Sequence, residues 1–463
     1  MSRNVMLGWL MAIVVTASSA WAQTIVKSAQ GNPANGHRYV MISAASWEQA
    51  RTWARARGGD LATVDDAAED AWMFTTFSPT AGKYTIGLAA VDVPGTLTWS
   101  DGSTSSYRAW ASGEPSLTAS ERYTVVQGAA SWTLRSTSYA PNYIVEWSGP
   151  VKVPQEYPTL AEGLAAMSSS GEREMEIDAG TYALTSAQSL PAVSTGRTIR
   201  GAGRAATVIS FGTTGAVLTL AGPWTIENLG IWRGAPVSPL NITSGSLLAR
   251  DVNVNSNFYL GVIGMFRLWN GSSLVLNRCE IQQALYMTTT VAPWFGSVHA
   301  SNSVFRNCGS LIGENLTGTF SNCTISPGSN GSIRAFSGPT QMVNCVVWPM
   351  TNDLGDYVTA RNCLIQRDVP PGEGNISVNP QFVSGTTRPA AGSPCIDAGD
   401  TDLILGGAKD IDGLARVSGA SVDLGAYELT QTPPPVCDAD FNGDGFITFE
   451  DFDAFVAAFE EGC

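Results

Sequence analysis

Asn322-Cys323-Thr324-Ile325 returns as Asn344-Cys345-Val346-Val347 and again as Asn362-Cys363-Leu364-Ile365. Looser copies precede these: Asn228-Leu229-Gly230-Ile231, Asp251-Val252-Asn253-Val254, Arg278-Cys279-Glu280-Ile281 and Asn307-Cys308. Measured at the position that holds Cys in the later copies, the steps are 23, 27, 29, 15, 22 and 18 residues. Steps averaging a little over 22 residues suit one coil of a solenoid, in which each unit buries its apolar face only against its neighbours. Period-2 alternation puts the Cys position and the following Ile or Val on one inward face. Inward Asn residues are expected to form hydrogen-bonded ladders between coils.

Upstream of the repeats, Tyr157-Pro158-Thr159-Leu160 opens an amphipathic helix with Leu160, Leu164 and Met167 on one face. Helix and repeats together resemble a right-handed parallel β-helix of the pectin-lyase-like class, spanning residues 150–428. The resemblance implies that the helix caps the N-terminal end of the stack. Neighbouring rungs lie about 4.8 Å apart, but parallel Cβ vectors disfavour disulfide geometry. Cys279, Cys308, Cys323, Cys345, Cys363 and Cys395 are therefore expected as buried thiols. Asp397-Ala398-Gly399-Asp400, Asp410-Ile411-Asp412-Gly413 and Val422-Asp423-Leu424-Gly425-Ala426-Tyr427-Glu428 look like the module that closes bacterial surface β-helices, with structural Asp-Gly turns.

Enzymes on this scaffold need clustered carboxylates or a basic residue beside acidic calcium ligands. Asp-Asp occurs only at Asp65-Asp66, outside the repeats, and Lys is nearly absent between residues 153 and 408. His299 stands without a nearby acid and reads as structural. Arg200, Arg204, Arg233 and Glu227 fit a groove or a solvated strand face equally well. The sequence yields no catalytic set.

The N-terminal third has a different texture. Ser46 to Gln49 is a capping box, and Gly58-Gly59 ends the helix it opens. Asp66 to Glu69 starts a second helix running to about Phe77, and only short strands follow, an α+β arrangement. Trp47, Gly58-Gly59-Asp60-Leu61-Ala62-Thr63-Val64, Glu69, Ile86-Gly87-Leu88, Trp99-Ser100-Asp101-Gly102, Trp110, Gly113-Glu114-Pro115-Ser116, Trp132 and Ile144-Val145-Glu146 occur in order. This ordered set resembles a C-type lectin-like domain, assigned to residues 23–149. The resemblance implies two disulfides, but their positions fall at Ala54 with Val145, and near Tyr123 and Ser136. A lost long-loop bridge removes about 2–4 kcal/mol, which apolar packing must offset.

The same resemblance implies a ligand face around Glu114, Ser116, Glu121 and Trp132. The family's sugar-bound calcium takes a carboxylate-Pro-amide motif, a further Glu and an Asn-Asp pair. Here Glu114 and Glu121 match, Ser116 replaces the amide, and Thr133 and Leu134 replace the pair. Calcium needs six to eight oxygen ligands, and the Leu134 side chain has none, so lectin-site calcium is expected to be weak or lost. Glu114-Pro115 also suits a plain surface turn around a cis proline. Trp47, Trp99 and Trp110 are expected in the core.

Thr430 to Pro435 is part of a stiff Pro-rich linker (residues 429–436) to a last module, 437–463. There Asp440, Asn442, Asp444, Phe446 (by its carbonyl) and Asp451 fall at positions 1, 3, 5, 7 and 12 of a calcium loop, with Gly445 at the turn. Asp451 in place of Glu, followed by an apolar helix, resembles a single dockerin repeat, an EF-hand-type unit. Dockerins carry two, so a cohesin-like partner is in question, and a cell-surface anchor is the other reading. Cys437 and Cys463 bracket the module and are expected to pair, since it is too small for its own core. It holds eight acids and no bases.

Across 463 residues, 26 Lys and Arg against 40 Asp and Glu leave a net charge of −14, which argues against a nucleic-acid partner. Residues 1–22 read as a secretory signal: Arg3, an apolar run from Val5 to Val15, and Ala20-Trp21-Ala22 before the cut. No later segment is apolar enough to span a membrane. The chain is thus expected to be multidomain, mainly β and extracellular or surface-bound: lectin-like head, β-helix, then a small calcium-loop module. Three functions fit: a binding or adhesion protein for a glycan or other extracellular ligand, a polysaccharide lyase or hydrolase using the β-helix groove, or a structural surface protein making protein contacts.

Overall fold

The computed structural model describes residues 24–430 except 94, 137–138, 193, 195, 213–214, 235–238, 257–265, 270, 283–286, 289–295, 309–315, 328–337, 351–353 and 405–408. The signal segment, the calcium loop from Asp440 to Asp451 and the Cys437 and Cys463 pair lie outside the described residues. No described helix is long and apolar enough to cross a membrane. The chain forms two compact units.

The first unit holds β1 (Thr24–Gly31), β2 (Arg38–Ser43), α1 (Trp47–Arg55), β3 (Asp60–Leu61), α2 (Ala67–Ala81), β4 (Tyr84–Val93), β5 (Thr96–Trp99), β6 (Tyr123–Gly128), β7 (Ser131–Arg135) and β8 (Asn142–Trp147). The sheet order is β1-β2-β8-β4-β6-β7, with β3 on β8 and β5 on β4. Ser46 caps α1 by accepting the Gln49 N–H at 3.2 Å. Asp66 caps α2 by accepting the Glu69 N–H at 2.8 Å. The second helix continues to Ala81, one turn past the expected end, because Gly82 supplies the positive φ (73°) that stops it. Gly58 (φ 75°) ends α1 in the same way. Gly59 is needed for another reason: a Cβ there would sit 2.5 Å from the Glu146 carbonyl.

Tyr39, Met41, Val64, Met73, Phe77, Ile86, Leu88, Trp99, Trp132 and Ile144 pack into one core. Ala54 and Val145, where the family resemblance implies a disulfide, are both fully buried. Each fully buried large apolar side chain contributes roughly 1.5–3 kcal/mol, so a few such contacts match the missing bridge. Arg38, 1 % exposed, pairs with Glu156 at 2.7 Å and with Glu172 at 2.7 Å, both in segments belonging to this unit.

The second unit is a parallel β-solenoid. Successive coils stack in register: Ile199, Ile226, Ala249, Leu276, Ala300, Phe320, Met342 and Ala360 form one inward column. Ile231, Val254, Ile281, Phe305, Ile325, Val347 and Ile365 form another. Between the two strands of each coil the chain turns at a residue with positive φ: Asn228, Asp251, Arg278, Asn302, Asn322, Asn344 and Asn362, all between 47° and 55°. Asn and Asp tolerate this left-handed conformation, which costs most L-residues roughly 1–2 kcal/mol. The recurrent Asn is thus a corner residue.

One repeat is corrected. The corner of the fourth copy is Asn302-Ser303, not Asn307-Cys308. Ser303 Oγ accepts the Cys279 N–H at 3.0 Å, and Val304 pairs with Glu280 and Thr324. Asn307 also has positive φ (51°), which is why its dipeptide mimics a corner. The corner steps become 23, 27, 24, 20, 22 and 18 residues.

Cys279, Cys323, Cys345 and Cys363 follow their corners, and all six described cysteines are buried thiols outside any disulfide, as expected. The helix α3 (Leu160–Ser170) buries Leu160, Leu164 and Met167.

The closing segment runs back along the flank of the coils. Asn344 exchanges two hydrogen bonds of 2.9 Å with the Asp400 backbone. The Ala426 N–H donates to Thr324 Oγ1 at 2.9 Å, Arg306 donates to the Tyr427 hydroxyl at 3.2 Å, and Asp412 lies 3.8 Å from Arg204. Its Asp-Gly turns are structural: Asp410 Oδ1 accepts the N–H groups of Asp412 and Leu414 at 3.0 and 2.8 Å.

Candidate functional site

Between β5 and β6 the chain runs from Ser100 to Arg122 without a strand. The loop is tied to β7 by an isolated bridge between Trp110 and Trp132, with Ala111 N–H on Trp132 O at 2.9 Å and Trp132 N–H on Ala109 O at 2.8 Å. Trp132 is fully buried. Its ring meets Trp99, Tyr107 and Trp110 edge-on with centroids 6.1, 5.5 and 5.9 Å away, and its indole N–H donates to Asp70 Oδ1 at 3.0 Å. It is therefore the post that holds the loop and presents no face to a ligand. Trp47 and Trp99 are buried as expected, and Trp110 is half-buried.

The tied loop delivers the Glu114 carboxylate to the end of β7, at Leu134 and Arg135. The Glu114-Pro115 peptide is cis. Oε2 accepts from the Ser116 N–H at 2.7 Å, the Ser116 hydroxyl at 3.0 Å and the Leu134 N–H at 3.3 Å. Oε1 accepts from Arg135 Nη1 at 3.0 Å. Desolvation pushes the Glu114 carboxyl up, but these donors, led by the two backbone N–H groups, outweigh it and hold it below its ordinary value. Arg135 is raised in turn: burial works against it, but the Glu114 bond prevails. Glu121 is half-buried, with its N–H on Thr118 Oγ1 at 3.0 Å.

These residues do not fit a calcium ion. The Glu114 oxygens already carry four donors, Ser116 spends its proton on Glu114, and the Leu134 side chain is buried and apolar. The Arg135 guanidinium already supplies the positive charge that Glu114 faces. Arg135 is the residue that sequence reasoning missed, because its partner lies 21 positions earlier in an irregular loop.

A second polar cluster also escaped the sequence. His37, Glu69 and Glu146 bring one potential ligand atom each to within 4.8 Å of one another. His37 Nδ1 is 2.5 Å from Glu146 Oε1, and the Tyr39 hydroxyl bonds both Glu69 and Glu146, the latter at 3.2 Å. Asn35 donates to Glu69 at 2.9 Å, and the Asp65 and Thr63 N–H groups donate to Glu69 and Glu146 at 2.8 and 2.9 Å. The bond to Glu146 raises His37, and burial raises Glu69. A proton on His37 supplies positive charge to this cluster.

On the solenoid, three carboxylates are matched by arginines. Glu227 bridges Arg200 (2.7 Å) and Arg250 (3.3 Å), Asp251 binds Arg278, and Glu280 lies 3.2 Å from Arg306. His299 meets the hydroxyls of Thr319 and Ser297 at 2.6 and 3.0 Å. Arg233 is 1 % exposed and Arg204 faces Asp412, so neither joins Arg200 and Glu227 in a groove.

Residues 43–145 match the family model of the lectin C-type domain. Solved structures similar to this part include the C-type lectin CEL-I from Cucumaria echinata, 26 % identical, covering 24 % of this chain and 90 % of that one, with a TM-score of 0.22. Others are the cow CD23 carbohydrate-recognition domain (20 % identity, 29 % and 97 % coverage, TM-score 0.22) and a calcium-independent type II antifreeze protein (21 %, 27 % and 96 %, TM-score 0.24). No curated protein matches the chain. The N-terminal unit is thus a C-type lectin-like domain. The chain as a whole is mainly β, this domain being followed by a parallel β-solenoid.

Proposed function

We propose that the protein is a secreted or surface-bound glycan-binding protein whose lectin-like domain recognises carbohydrate without calcium. The observation that carries this reading is the Glu114–Arg135 pair at 3.0 Å, set in the loop where the resemblance places the ligand face. Family membership of residues 43–145 supports a carbohydrate ligand. A fixed guanidinium and its neighbouring hydroxyls offer sugar hydroxyls hydrogen bonds in the absence of a metal.

In this reading the solenoid, of pectin-lyase-like type, is a stalk. Glu227, Asp251 and Glu280 are each neutralised by arginine, whereas hydrolysis needs two carboxylates free to act as acid and base. The C-terminal loop from Asp440 to Asp451 takes calcium and attaches the chain to a surface or a cohesin-like partner.

The test is retention of the full chain on a panel of insoluble polysaccharides, with the supernatant assayed for released oligosaccharide. Retention without release supports the proposal. Release makes the solenoid an enzyme, and retention on none of the panel removes the glycan reading.

A further inference from the structure

The second half of the loop, beyond Ser116, builds a cavity of about 370 Å³ lined by Ala90, Gly95, Leu117, Thr118, Ala119 and Arg122. That volume lies at the lower end of the roughly 300–1,000 Å³ of small-ligand sites. Its floor is fixed by main chain: the Ala90 N–H donates to the Arg122 carbonyl at 3.0 Å, tying the base of the cavity to β4. One wall is the turn at Gly95 (φ 77°). The other is the segment 117–119, where Leu117 is 39 % exposed.

The polar side chains lining this cavity are Arg122 and Thr118. Arg122 lies over the Tyr123 ring, 5.8 Å from its centre, and interacts with the Tyr123 hydroxyl, but forms no ion pair with a described residue, whereas Arg135 on β7 is bound to Glu114. Glu48, the acid whose charge Arg122 feels, is engaged at 2.6 Å by the Tyr123 hydroxyl. Thr118 Oγ1 accepts the Glu121 N–H at 3.0 Å and lies 3.5 Å from the Ser120 hydroxyl, so its proton can turn to Ser120 or to a ligand. The cavity therefore offers donors and a positive charge, beside the methyl groups of Ala90, Leu117 and Ala119.

We propose that this cavity is a subsite for a sugar carboxylate, with the Arg122 guanidinium as its anchor. The guanidinium fork matches a carboxylate in two parallel hydrogen bonds. Leu117 and the alanines offer the apolar C–H face of a pyranose ring a matching surface, and Thr118 donates to a ring or hydroxyl oxygen. The ligand class is a uronic-acid-containing glycan. The inference rests on the glycan-binding reading and narrows it. A chain with net charge −14 repels polyanions as a whole, so binding one requires a local cationic site of this kind.

The experiment measures binding of the full chain, in chelator, to alginate as the polyuronate and to uncharged dextran and galactomannan. It compares wild type with Arg122→Gln and Arg122→Lys, folding being checked by circular dichroism. Alginate binding is expected to fall about tenfold or more in Arg122→Gln, to recover in part in Arg122→Lys, and to weaken as salt rises. Unchanged alginate binding by folded Arg122→Gln overturns the subsite. Wild-type binding to an uncharged polymer but not to alginate also overturns it and leaves the glycan-binding reading intact. Binding to none of the three overturns both.

Discussion

Removing the charge of Glu428 gives a prediction whose size follows from the structure. Glu428 is 5 % exposed in the closing segment, beside Asp423 (1 %) and Asp410 (0 %). Its oxygens accept the Ser418 and Asp423 N–H groups at 3.0 and 3.1 Å. Burial first, and the Asp423 charge with it, push its pKa up from 4.5 to about 7, against the pull of Arg416 and the two N–H donors. A folded pKa above the unfolded one means that the folded state binds more protons between about pH 4.5 and 7. Stability in that window falls as pH rises. The difference is worth about 3 kcal/mol between pH 4.5 and 8, at roughly 1.4 kcal/mol per unit. Asp423 is raised by burial and acts in the same direction, so the comparison is made between wild type and Glu428→Gln. The amide keeps the shape and one acceptor and does not titrate. Amide hydrogen exchange of residues 410–430, corrected for intrinsic rates, reads the local stability. Wild type is expected to lose about 3 kcal/mol more protection than Glu428→Gln across that range. Equal pH slopes in the two proteins, or wild-type protection that rises with pH, would refute the reasoning and make Arg416 the dominant neighbour.

Three further outcomes are expected. His37 is raised by its bond to Glu146, so its stabilisation of the lectin-like domain is complete below about pH 6.5 and is lost as pH rises through the folded value. Thermal melts of His37→Ala should lack that component. Asn322, at a corner with φ 50°, should cost roughly 1–2 kcal/mol when replaced by alanine and less when replaced by glycine, as read by urea unfolding of the solenoid transition. Calcium titration of the full chain should order residues 437–463, giving a circular dichroism change that Asp440→Ala with Asp444→Ala abolishes; an unchanged spectrum in wild type counts against the tail loop.

The solenoid was legible because its corners demand a residue that accepts positive φ, and Asn is the side chain that does so most readily. The same signal misplaced one coil: Asn307 also has positive φ, and only the pairing of Val304 with its neighbours shows that Asn302 is the corner. The closing module was read from sequence, but its contacts with the coils were not, since Ala426 reaches Thr324 across 102 positions through a backbone N–H that any residue possesses. In the lectin-like domain, capping residues and glycines marked the helices because those effects are local. Glu114 was visible through the family resemblance of Gly113-Glu114-Pro115-Ser116. Arg135 was not, because a bare arginine after Leu134 carries no local sign of its ion pair. Trp132 read as a ligand-face residue from its place in the loop. Its burial against Trp99, Tyr107 and Trp110 depends on a fold that brings distant aromatics together.

The central claim is carbohydrate recognition without calcium, and the most direct test is glycan retention by the full chain carrying Asp440→Ala and Asp444→Ala, so that the tail loop does not confuse the result. The measurement compares the glycan best retained in the panel under chelator and under added calcium. Equal retention in the two conditions, lost on Arg135→Gln, is what the Glu114–Arg135 geometry predicts. Retention that appears only with calcium would contradict it.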